Sequence, residues 1–154
     1  MSVNEQEELL KLVTEIVPGV YLGNKENASN EEFYIKNNIK GVLNCTKDLP
    51  FVDLEIAKKR ISIDDHPNSN DEFYSQIQES VDFIHSNRPV IIHCLIGMSR
   101  SPSIVACYLM KYHNIDPSQA VSYILSKRPF AFMWGQAFYY GPSIVKFHNE
   151  INNK

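Results

Sequence analysis

Residues 90–103 read VIIHCLIGMSRSPS. Val90, Ile91 and Ile92 form a β-branched apolar run bounded by Pro89, the pattern of a short buried strand. At the far end Ser101 is placed to cap a helix with Pro102 at its first position. Ile104, Val105, Tyr108, Leu109 and Tyr112 then recur at helical spacing. Cys94 to Arg100 is therefore expected to be a tight loop between a strand and a helix N-terminus. Such a loop aims backbone N–H groups at one point, and the helix dipole adds positive potential there. The expected ligand is an anion.

The residues at the two ends of the loop suggest what happens to that anion. A cysteine attacks as thiolate, a form favoured by helix N–H groups and a nearby guanidinium. An arginine fork binds two oxygens of one phosphate, and Gly97 allows the chain to wrap closely. Cys94 and Arg100 thus read as a nucleophile and a clamp in a phosphate cradle, pointing to attack on phosphorus. Cys and Arg at this spacing alone would equally suit a buried cysteine beside a solvated arginine. The fuller pattern HCxxGxSRS, with His93, Gly97, Ser99 and Ser101 in register, resembles the signature of cysteine-dependent protein phosphatases. Its SRS ending is similar to that of the small dual-specificity branch.

A distant part of the chain carries the same resemblance. The family leader PGxYLGxxxxAxNxxxLxxxxIxxVLNxT is matched by Pro18, Gly19, Tyr21, Leu22, Gly23, Ala28, Asn30, Ile39, Val42, Leu43, Asn44 and Thr46. From the residues themselves, 15–22 read as two short strands around a Pro18-Gly19 turn, Asn30 as a helix cap, and 40–44 as a buried strand. Residues 60–63, RISI, look like another strand, followed by a polar loop DDHPNSN and a helix bearing Phe73, Ile77, Val81 and Ile84. Asp116 caps a further helix with Pro117 at its first position and Ala120, Val121, Ile124 and Leu125 on its apolar face. It ends at Arg128-Pro129.

The fold class implied is α/β: a central, mostly parallel sheet of about five strands with helices on both faces, one catalytic domain over 1–154 with 1–14 as an N-terminal extension. Ligands of such sheets sit at the strands' carboxyl ends. The resemblance implies hydrolysis of phosphotyrosine and phosphoserine or phosphothreonine in proteins through a phosphocysteine. Cys94 is the implied nucleophile. The amides of Leu95, Ile96, Gly97, Met98 and Ser99, with Arg100, are the implied phosphate cradle. His93 orders the loop, and Ser101 assists the departing sulfur, unless it is a cap only.

The family's general acid follows an IxIxD pattern, matched by Ile61, Ile63 and Asp65. Asp64 is its rival and Asp71 reads better as a helix N-terminal acid; all three would also suit solvated loop carboxylates. If strands 40–44 and 90–93 are neighbours, as the resemblance implies, Cys45 and Cys94 come within disulfide reach. Cys45 is then a redox partner, or else a small core residue.

The chain departs from the family at FAFMWGQAFYYGP, residues 130–142, where the expected Pro-Asn and Gly-Phe pairs are missing. Phe132, Met133 and Trp134 there line the pocket's rim or fill the core. Pro142 is expected to start or kink the last helix.

Composition narrows the alternatives. A net charge of -3 argues against broad nucleic-acid binding. Three cysteines do not make a disulfide framework and fit a reducing compartment, the cytoplasm or the nucleus. No apolar run approaches a membrane span, and Met1-Ser2 lacks the glycine for myristoylation, so no membrane anchor is expected. His66, His85, His113 and His148 have no metal-like spacing. No metal or cofactor is called for, and the partners expected are phosphorylated proteins. A weakly active phosphoprotein-binding scaffold, and phosphatases of RNA 5′-ends or phosphoinositides, are the alternative readings. The uncharged Leu95, Ile96 and Met98 disfavour the phosphoinositides.

Overall fold

The computed structural model describes residues 2, 4, 12–64, 66–95, 100–132 and 137–153. Strands β1 (Thr14–Val17) and β2 (Val20–Gly23) form a hairpin through Pro18-Gly19, where Gly19 has φ 82°. That left-handed backbone is one a glycine adopts without cost. Helices α1 (Lys25–Ser29) and α2 (Glu31–Lys36) lead to β3 (Gly41–Asn44) and then β4 (Ala57–Arg60). A 3-10 turn (Pro67–Ser69), α3 (Asn70–Ser86), β5 (Val90–His93), α4 (Arg100–Tyr112), α5 (Pro117–Lys127) and α6 (Ala137–Asn152) complete the order.

The five strands lie in the order β1-β2-β5-β3-β4, parallel except for the β1/β2 hairpin. This is the mostly parallel sheet implied by the sequence. β5 is central, and all four of its residues are buried. A strand covered on both faces cannot alternate between apolar and polar, which is why Val90, Ile91 and Ile92 run without a break. Val90, Ile92 and Cys94 face the larger core, packed with Phe73, Ile77, Ile104 and Tyr108. Ile91 faces a smaller core with Ala28, Tyr34, Val42 and Val52. Side chains alternate along a strand, so His93 falls on the smaller side, opposite Cys94.

Three local expectations change, and the one for Pro142 is narrowed. The strand sought at 60–63 is three residues earlier: β4 pairs with β3 from Gly41↔Ala57 to Asn44↔Arg60. Ile61 and Ile63 are fully buried; the Ile61 N–H makes the last bond to β3, to the Asn44 carbonyl at 2.8 Å, and Ile63 lies past the paired residues. The paired residues include Lys58 and Lys59, at the sheet's edge, where lysine is common.

Asn30 stands at the start of α2, but its side chain makes no capping bond. The capping box lies one helix earlier, where Asn24 and Asn27 each accept the other's backbone N–H at 2.9 Å. Pro142 falls inside α6 rather than starting it. Ser101 lies in the first turn of α4, not at its cap, because the helix already includes Arg100. The cap predicted at Asp116 is present, and the structure extends it to a capping box with Gln119. The helical turn expected within 3–13 lies largely outside the described residues.

Candidate active site

The parallel register determines the site. Gly23, Asn44 and His93 are aligned on three adjacent strands, so the residues just after them share one end of the sheet. The Cys45 N–H donates to the His93 carbonyl at 2.8 Å, and the Lys25 N–H donates to the Leu95 carbonyl at 3.1 Å. These bonds extend the sheet on both sides of β5 and hold the start of the loop.

Cys94 leaves β5 buried, 2% exposed. Its Sγ lies 3.1 Å from Ser101 Oγ in the first turn of α4. The Ser101 hydroxyl thus faces the sulfur, and its side chain is fully buried. Arg100, the first residue of α4, donates from Nη1 to the Ile63 carbonyl at 3.3 Å. Its Nε is buried and has no hydrogen-bond partner among the described residues. A buried guanidinium N–H left without an acceptor is costly, so this donor is suited to an incoming oxygen. Leu95 is 44% exposed, while Ile96, Gly97, Met98 and Ser99 lie outside the described residues.

His93 is buried, and its Nδ1 lies 3.4 Å from the Cys94 carbonyl. Next to a carbonyl that nitrogen carries the proton. Burial pushes the imidazole pKa down to about 4; the bond to the Cys94 carbonyl opposes this, and the charges of Arg60 and Arg100 add to it. The ring is neutral at pH 7 and braces the loop from behind.

Asp65, the predicted acid, lies outside the described residues. Its rival Asp64 pairs its carboxylate with Lys47 Nζ at 3.0 Å, an exposed contact. The Asp64 carbonyl accepts a 2.6 Å hydrogen bond from the Tyr140 hydroxyl.

Cys45 is fully buried. Burial pushes its thiol pKa well up, the neighbouring Cys94 pushes the same way, and Arg100 partly opposes them. Cys107 is also driven up by burial, inside α4. None of the three cysteines is in a disulfide.

Several groups that support the site gave no functional signal in the sequence. Arg60 donates to the Thr46 and Leu49 carbonyls at 2.8 and 2.7 Å and lies over the Phe51 ring. Thr46 Oγ1 donates to Asn44 Oδ1 at 2.6 Å. Together they shape the loop after β3. Arg128, only 2% exposed, donates to the Leu12 carbonyl at 2.6 Å and to Thr14 Oγ1 at 3.0 Å, tying the end of α5 to β1. Burial lowers its pKa to about 10, and the proximity of Cys94 opposes that. Phe132 is buried in the larger core, which settles its role as packing; Met133 and Trp134 lie outside the described residues. Among the described residues no cluster of His, Cys, Asp and Glu is arranged to hold a metal.

A family profile described as "Dual specificity phosphatase, catalytic domain" matches residues 20–139. Dual specificity protein phosphatase 1B of Arabidopsis thaliana is 35% identical over 125 residues, covering 77% of this chain and 72% of its own length. Dual specificity protein phosphatase 1 of the same plant is 36% identical over 121 residues, covering 75% of this chain and 60% of the relative. Against mouse dual specificity protein phosphatase 8 the match spans only 18% of the relative's length, at 30% identity over 76% of this chain. Human DUSP28 superposes with a TM-score of 0.80 over 91% of this chain and 95% of its own, at 18% identity. The chain belongs to the dual-specificity phosphatases, a family of cysteine-dependent phosphoric monoester hydrolases, and has the fold of its small atypical members.

Proposed function

We propose that this chain hydrolyses phosphotyrosine and phosphothreonine or phosphoserine in proteins through a phosphocysteine intermediate. The observation carrying this reading is Cys94 Sγ at 3.1 Å from Ser101 Oγ, beside an Arg100 guanidinium whose buried Nε has no protein acceptor among the described residues.

In the first step the Cys94 sulfur attacks phosphorus. Arg100 and the amides of the loop from Leu95 to Ser99 hold the equatorial oxygens, whose negative charge is favoured by the N-terminus of α4. The P–O bond breaks, and Asp65 gives its proton to the departing oxygen. An alkoxide from serine or threonine needs that proton more than a phenolate does. Asp64 fits the role less well, because its carboxylate is engaged by Lys47. In the second step water attacks the phosphocysteine, Asp65 takes its proton, and the P–S bond breaks. Ser101 donates to the departing sulfur from the distance already observed.

Short segments follow the strand ends beside the site: α1 after β2 spans five residues, and the turn before α3 spans three. Low walls of this kind support access by phosphothreonine and phosphoserine as well as the longer phosphotyrosine. The neutral charge of Leu95, Ile96 and Met98 supports a protein phosphate over a polyphosphorylated inositol ring.

The test is turnover of an aryl phosphate and of a phosphopeptide panel by wild type, Cys94→Ser and Arg100→Lys. Cys94→Ser should lose turnover and keep phosphate binding. Arg100→Lys should lose both, since an ammonium cannot match two oxygens at once. Substantial turnover by Cys94→Ser would end the phosphocysteine reading.

A further inference from the structure

The loop carrying the predicted acid leaves the core at Ile63 and re-enters helix at Asn70. Both of its ends meet the same face of α6. The Tyr140 hydroxyl donates to the Asp64 carbonyl at 2.6 Å. Three residues along, Ser143 Oγ lies 2.8 Å from the Asn70 carbonyl and 2.7 Å from Asn70 Oδ1. Positions i and i+3 of a helix project side by side, so one turn of α6 reaches across the loop and grips its beginning and its end.

Tyr140 is fully buried, with its ring 4.6 Å from that of Phe73 in the first turns of α3. Packing alone would be satisfied by phenylalanine. A buried hydroxyl delivered to one backbone carbonyl is a directional contact. That carbonyl matters because it belongs to the peptide group joining Asp64 to Asp65. The group is planar, so fixing its oxygen fixes the direction in which the chain continues into Asp65. Two further contacts restrain the same entry point: Arg100 Nη1 on the Ile63 carbonyl, and Lys47 on the Asp64 carboxylate.

We propose that Tyr140 and Ser143 form a clip on α6 that sets the position of the general-acid loop. They are positioning residues, acting through the backbone at Asp64 and Asn70 and not on substrate. The clip sits at the end of the stretch where this chain departs from the family pattern, Tyr140 within it and Ser143 just after it, and it supplies bracing to the site from that side. The proposal rests on the reading of residues 64–70 as the acid loop, with Asp65 the acid.

The experiment measures kcat for aryl phosphates whose leaving groups run from a nitrophenol to phenol, with thermal melts of each variant. A misplaced acid costs most when the leaving group is poor. Tyr140→Phe, which keeps the ring and removes the hydrogen bond to the Asp64 carbonyl, should slow phenyl phosphate about five- to tenfold and the nitrophenyl ester less than twofold. Ser143→Ala should act in the same direction, and decides the matter if Tyr140→Phe melts many degrees below wild type. Where Asp65→Asn itself steepens the leaving-group dependence, adding Tyr140→Phe to it should cost poor leaving groups nothing further. Equal slowing of all esters, or a persistent cost in the Asp65→Asn background, would reduce the clip to packing and overturn the proposal. If Tyr140→Phe steepens the dependence while Asp65→Asn does not, the clip stands and the assignment of Asp65 falls.

Discussion

Acidification should unfold this protein through His93. The ring is buried at the end of the central strand, and its pKa falls from 6.5 to about 4, chiefly because burial penalises the charged form. In the unfolded chain the same histidine takes up a proton near 6.5. Between these values the unfolded state binds more protons, so stability falls as pH falls. The contribution is fully present above 6.5, drains away on the way down, and is exhausted near 4. A gap of roughly 2.5 pH units is worth about 3 kcal/mol. That is a large part of a domain's usual margin of about 5–15 kcal/mol.

Urea unfolding between pH 7 and 4 measures this directly, in wild type and in His93→Asn. Asparagine keeps an N–H to offer the Cys94 carbonyl and cannot titrate. Its absolute stability will differ, but the readout is the slope against pH, which should flatten between 6.5 and 4. Asp82 is a separate acid-labile group. Burial pushes its pKa up, but hydrogen bonds from Lys111, Tyr112 and Gln78 outweigh this and bring it to about 2. Its stabilisation is lost below the histidine window and equally in both proteins. Equal slopes for wild type and His93→Asn would refute the account of His93 as a buried neutral imidazole.

Asp65→Asn should lower turnover of esters with poor leaving groups by ~10²–10⁴ and flatten the falling limb of the pH–rate profile. Asp64→Asn should change the rate little, and the opposite result would shift the acid by one position. Mild peroxide should convert the Cys94 thiol to a sulfenic acid, which Cys45 displaces with loss of water to form a disulfide. Mass spectrometry and recovery with a thiol reductant check this; a Cys45→Ser variant that recovers as fully as wild type would leave Cys45 a packing residue.

What the sequence disclosed tracks the range of each interaction. β5 and α4 were legible because their evidence is local: an unbroken apolar run, a glycine, and a helical stripe within one stretch. The Asp116 cap, with Pro117 after it, was legible for the same reason. Ile61 and Ile63 announced burial correctly, but burial past the end of the strand was mistaken for pairing; an edge strand bearing Lys58 and Lys59 looks less like a strand than the buried residues after it. Ser101 was recognisable as polar and helix-initial. That its hydroxyl faces a sulfur was implied by the family resemblance and by no spacing rule; the structure places the two atoms 3.1 Å apart. Tyr140 and Ser143 gave no sign, because their partners lie 76 and 73 residues away. A tyrosine at helical spacing reads as core, and only the fold shows which carbonyl its hydroxyl meets.

Net charge also proves a poor guide to the ligand. A chain of net charge -3 is an unpromising receptor for a dianion, yet the carboxyl end of the sheet holds Arg60 and Arg100. Arg60 donates to the carbonyls of Thr46 and Leu49, and Arg100 to that of Ile63. A carbonyl satisfies a guanidinium N–H without cancelling its charge. The side chains are therefore held in place while their positive potential survives for the phosphate, strengthened by partial burial. A carboxylate partner at either would hold the arginine equally well and forfeit that potential.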